Sequence, residues 1–164
     1  KKTELFVDSW LVLLENQTSH RESLARDIVS RIQAYNIPDI KLEQRDLAGT
    51  IMEGFRGKHR PYIVVKNDVF GGGVMIYIGV RVYGNFLAVS WYLTQRSRIR
   101  KRSALGGRRL MNPEDLSVFD QEELNYFTSA VHEAVKAAVK NLMESQHLDF
   151  SKVNTHTRGF LNLS

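Results

Sequence analysis

Two apolar-rich runs, Val74 to Tyr83 and Phe86 to Thr94, meet at Gly84-Asn85, and every second position along each of them is apolar. A Gly-X pair between such runs signals a tight turn of the primed kind, so the stretch predicts a β-hairpin. Counting outward from the turn sets the register. Val82/Leu87, Val80/Val89, Ile78/Trp91 and Ile76/Leu93 fall on one wholly apolar side. The reverse side carries Tyr83/Phe86, Arg81/Ala88, Gly79/Ser90, Tyr77/Tyr92 and Met75/Thr94, a mixture of aromatic, small and polar groups. One side is built for a core, and the other is left without an obvious cover.

Upstream, Phe6, Trp10 and Leu14 recur at spacing four with Val7, Leu11 and Leu13 beside them, which predicts a short amphipathic N-terminal helix. Ser19 and Glu22 have the spacing of a capping box and open a second helix. Its buried stripe is Leu24, Ile28, Ile32 and Tyr35, and Asn36 and Pro38 end it. Ile40 and Leu42 alternate with Lys41 and Glu43 as in a half-buried strand over 40–46. Residues 50–61 suggest a short strand entering a basic turn, and Pro61 opens a β-branched strand, PYIVVKND. Asn112-Pro113 marks a short helix start. Asp120 with Glu123 opens the strongest helix, whose stripe is Leu124, Phe127, Val131, Val135, Ala138 and Leu142. The last residues, 151–164, read as a tail that docks or frays. Together these elements predict one α+β domain: an antiparallel meander of three to four strands, one face packed by two main helices over 20–35 and 121–145.

Composition sharpens this only locally. The 164 residues, 43% hydrophobic and 25% charged, fit one globular domain. Without cysteine there are no disulfides, thiol nucleophiles or thiolate metal sites, a pattern compatible with the cytoplasm. The net charge of +5 is concentrated in one place. Arg96, Arg98, Arg100, Lys101, Arg102, Arg108 and Arg109 lie in 96–109 with no acid among them. Setting those 7 aside from the 23 basic residues leaves 16 against 18 acidic ones. Arg96, Arg98, Arg100 and Arg102 fall on one side of any strand that continues the hairpin.

Candidate chemistry is sparse. His20, His59, His132, His147 and His156 have no metal-ligand spacing, and His132-Glu133 reads as a partly exposed pair on a helix. His156 in the tail has no acid or nucleophile tied to it by spacing. Gly71 to Gly73 match no phosphate-loop pattern and read as turn material. No catalytic constellation, metal site, cofactor or small-molecule ligand is inferred. The sequence expectation is a non-catalytic interaction domain acting through the mixed sheet face: Tyr77, Arg81, Tyr83, Phe86 and Tyr92. A protein partner or self-association would occupy it. Because the chain opens on Lys1, a larger protein with an upstream tether to the cytoplasmic side of a membrane is part of that expectation. The alternative is a nucleic-acid or anionic-lipid binder using the basic segment 96–109, since clustered guanidinium groups suit phosphate.

Overall fold

The computed structural model describes residues 4–47, 60–70, 73–96, 117–159 and 161–164. Five strands form one antiparallel sheet: β1 (Glu4–Glu15), β2 (Ile40–Leu47), β3 (Arg60–Asn67), β4 (Val74–Tyr83) and β5 (Phe86–Arg96), in the order β1-β5-β4-β3-β2. The hairpin register is the one counted from its turn, with Tyr83 opposite Phe86, Val80 opposite Val89 and Ile76 opposite Leu93. Gly84 sits at φ +58°, a backbone conformation that glycine adopts without penalty at the first central position of such a turn. β2, β3, β4 and β5 form a meander in which each strand pairs with the next.

The N-terminal segment departs from its expected helix. It is the twelve-residue strand β1, which pairs with β5 and is followed by a 3-10 turn at Thr18–His20. The helical spacing misleads because both sides of this strand are apolar. Trp10, Val12 and Leu14 face the core, Leu11 and Leu13 face away, and a bulge at Val7 shifts the phase. A run that is apolar on both sides carries no period that separates strand from helix. With β1 the sheet has five strands rather than three or four.

β1 and β2 point the same way at opposite edges of the sheet, so the chain must cross over one face to join them. Helix α1 (Arg21–Ala34) makes that crossing, burying Leu24, Ile28 and Ile32. The expected capping box at its start is absent. Because the chain is already coiled from Thr18, Ser19 lies within the turn rather than ahead of it. Tyr35, expected in the buried stripe, is exposed at the C-cap, where Asn36 turns the chain away at φ +49°. Helix α2 (Val118–Ser145) starts two residues before its expected cap. Ser117 accepts the Asp120 backbone N–H at 3.1 Å and replaces Asp120 as the N-cap.

The α2 stripe is buried throughout: Leu124, Phe127, Val131, Val135, Ala138 and Leu142. It meets α1 and the inner sheet face in one core around Ile28, Ile76, Ile78, Leu87, Val89 and Trp91. Each fully buried aliphatic side chain contributes about 1.5–3 kcal/mol relative to exposure. No helix among the described residues is long and apolar enough to cross a membrane. The short strand suggested over 50–61 and the helix start at Asn112-Pro113 lie outside the described residues, apart from Arg60 and Pro61 in β3.

Candidate functional site

With both helices on one side, the site is the opposite face of the sheet. The hairpin contributes Tyr83, Phe86, Ala88, Ser90 and Tyr92 to it, and β1 contributes Phe6, Leu11 and Leu13, because alternate residues of a strand share a side. Phe6 is 56% exposed, Leu11 41%, Leu13 47%, Tyr83 63%, Phe86 36% and Tyr92 37%. Phe6 and Tyr92 tilt together with ring centroids 6.4 Å apart. Between these large groups, half-buried Ala88 and Ser90 form a low floor. Exposed aromatic and leucine side chains around small residues form a shallow apolar surface with polar tips.

The other half of the face is closed. Val64, Met75 and Tyr77 form a small second core with partly buried Tyr62, whose ring meets Tyr77 edge-on at 6.3 Å. Gly79 makes room for Tyr62. A Cβ there would fall 3.1 Å from Tyr62 Cε1 and 3.3 Å from Ser90 Oγ. Beyond this core, Glu43 accepts from Lys66 Nζ at 2.7 Å and from Arg45 Nε at 2.8 Å. Those two cations, Lys66 foremost, hold the Glu43 carboxyl below the usual carboxylate range. The β2 edge therefore presents bound charge, and the β1 side presents exposed leucine and aromatic groups.

Of the expected surface set, Tyr83, Phe86 and Tyr92 are exposed together, Arg81 is half-buried and Tyr77 is buried. Arg96 closes β5 opposite Glu4. Arg98, Arg100, Lys101, Arg102, Arg108 and Arg109 lie outside the described residues. Phe6, Leu11 and Leu13 join the surface without having been assigned to it. For Leu11 and Leu13 the signal was the alternation with Trp10, Val12 and Leu14, hidden by the coincident helical spacing; Phe6 reaches this side only through the bulge at Val7, which alternation does not report.

A second polar constellation lies inside the core, where the sequence placed none. His132 is buried rather than partly exposed, because it lies on the α2 side that carries Thr128, Val135 and Val139. The Trp91 indole N–H donates to His132 Nδ1 at 3.0 Å. An indole can only donate, so Nδ1 is unprotonated and Nε2 carries the proton, which it gives to the Thr155 carbonyl at 2.9 Å. Burial pushes the His132 pKa down, opposed in part by the Thr155 hydrogen bond. The rings of Trp10 and Trp91 each approach edge-on at 5.4 Å.

This histidine has both nitrogens engaged and is shut from water. It fastens the C-terminal tail and has no free nitrogen lone pair for proton transfer to a substrate. Trp10 Nε1 donates to the Asn154 carbonyl at 2.8 Å. Buried Thr157 donates its hydroxyl to Asp8 Oδ2 at 2.9 Å and accepts the Leu163 N–H at 2.9 Å. The Arg158 N–H donates to the Ser9 carbonyl at 2.9 Å. Gly159 lies so close to the β1 bulge that a Cβ would fall 2.6 Å from Asp8 Cα. The tail therefore docks, while His156 within it is exposed.

Among the described residues, no three His, Asp or Glu side chains converge as a metal site would require. Comparison with protein-family models, with curated proteins and with solved structures finds no match to this chain.

Proposed function

We propose that the chain is a non-catalytic interaction domain that associates through the open half of its outer sheet face. One observation supports this reading above the others: Phe6, Leu11, Leu13, Tyr83, Phe86 and Tyr92 are all exposed on the side of the sheet away from both helices. Contiguous exposed apolar groups of this kind mark association surfaces, and tyrosine and phenylalanine are favoured in them. Scattered single leucines would carry no such meaning. The interior polar groups do not compete for the role, because the tail and the two tryptophans occupy them.

The test is sedimentation equilibrium over a wide concentration range together with affinity capture, comparing the wild type with Tyr83→Ser/Phe86→Ser/Tyr92→Ser. The wild type associates with itself or retains a partner. The triple variant loses that association with an unchanged circular dichroism spectrum. A wild type that stays strictly monomeric and captures nothing overturns the proposal.

A further inference from the structure

The face described above runs to the edge of the sheet at β1, and that edge has a direction that the hydrogen bonding fixes. In a two-residue hairpin the closing pair, here Tyr83 and Phe86, is hydrogen-bonded. Alternate residues of β5 therefore turn their backbone groups the other way, and Leu87, Val89 and Trp91 meet Leu14, Val12 and Trp10 of β1. The N–H and C=O groups of Ser9, Leu11, Leu13 and Glu15 then point out of the sheet. Two independent contacts agree with this phase. The Ser9 carbonyl accepts from Arg158 of the tail, and the Asn16 N–H donates inward to the Asn85 carbonyl.

The tail thus closes the edge at Ser9, and Asn16 ends the strand at φ +57°. Between them the outward backbone groups of Leu11, Leu13 and Glu15 have no backbone partner among the described residues. The opposite edge is defended differently. β2 carries Lys41 paired with Asp68, and Glu43 clamped by Arg45 and Lys66, the kind of charged edge that resists strand addition. β1 has no cation in this stretch, and its two outward-facing leucines are exposed.

Resting on the association reading, we infer that the partner is a second copy of this chain, added antiparallel along β1 with its two-fold axis at Leu13. Only pairing between outward-directed residues makes the hydrogen bonds. With the axis at that position, Leu13 lies against its symmetry mate and Leu11 against Glu15, all within the free stretch. A pairing centred on Val12 would need Ser9, whose carbonyl the tail already holds. In the Leu13 register, Val12 lies beside Leu14 of the other copy on the core side. The single charged residue, Glu15, faces a leucine, so no like charges oppose each other. The result is a ten-stranded continuous sheet with an isologous interface, and the apolar outer surfaces of the two copies become adjacent.

Sedimentation velocity on the intact chain tests this with Leu13→Lys and Leu13→Glu. Each places like charges across the two-fold axis, and each alone weakens the dimer by about tenfold or more. An equimolar mixture of the two recovers a dimer, because opposite charges then meet. Circular dichroism checks that both variants retain the fold, and Leu13→Ala, which keeps the backbone donor, retains part of the dimer. A wild type that is monomeric throughout overturns the inference, as does a Leu13→Lys variant that dimerises like the wild type or a mixture that stays monomeric. If Tyr83→Ser/Phe86→Ser/Tyr92→Ser abolishes association and Leu13→Lys does not, the face reading stands and the edge pairing falls.

Discussion

His132 links burial to pH at the scale of one side chain. Burial lowers its pKa below the ordinary value of 6.5 and the Trp91 donor needs an unprotonated Nδ1, while the Thr155 acceptor fixes the proton on Nε2 and partly opposes the shift. Glu133 and Lys136 on α2 and Asp8 on β1 are the charged groups that act on it, with smaller effects than burial. Below about pH 6.5 the unfolded chain takes up a proton that the folded ring refuses, so stability falls as pH drops from there through the lower folded-state value. Glu43, held below its usual range by Lys66 and Arg45, adds a further loss only in the more acid range below 4.5. Urea midpoints measured between about pH 6.5 and pH 5 should therefore decline in the wild type, and that slope should be reduced in His132→Gln. An equal slope in both would remove His132 from the account.

The hairpin and β1 show what the sequence makes legible at the scale of elements. The hairpin was readable to the level of individual pairs because Gly84-Asn85 fixes the turn and one side is wholly apolar, leaving a single register. β1 was not, because Phe6, Trp10 and Leu14 satisfy a helical repeat while the same residues fill an edge strand that is apolar on both sides. α2 was legible in its stripe, yet His132 and Thr128 sit within that stripe as polar residues, and pattern alone assigns such positions to the surface. Tail docking depends on contacts more than a hundred residues apart in sequence, such as Thr157 with Asp8, and no local rule reports those. Thr157→Val leaves the buried Asp8 carboxylate without that donor, and urea denaturation should register a loss of about 1–3 kcal/mol. Thr157→Ser, which keeps the hydroxyl, should retain most of the stability. A valine variant as stable as the wild type would show that the contact does not hold the tail.

At the scale of the whole molecule, the two sides of the sheet and its two edges are unequal in the same direction. Helices cover one face, a small aromatic core closes half of the other, and bound charge guards β2. Among the described residues, what remains open is the β1 side, with its aromatic and leucine surface and its outward backbone groups. Partial legibility has the same origin: Tyr83, Phe86 and Tyr92 were assigned to this surface from the hairpin register, whereas Leu11 and Leu13 required β1 to be a strand. Of the basic segment 96–109, Arg96 at the end of β5 is the one residue among those described.

Residue-resolved amide hydrogen exchange along β1, in concentrated and dilute solution, tests the open edge most directly. In dilute solution the amides of Val12 and Leu14, bonded to β5, should be protected while those of Leu11, Leu13 and Glu15 exchange freely. At concentrations where the dimer forms, the second set should become protected as well. Uniform protection from Leu11 to Glu15 at every dilution, or no added protection of Leu11, Leu13 and Glu15 on concentration, would contradict it.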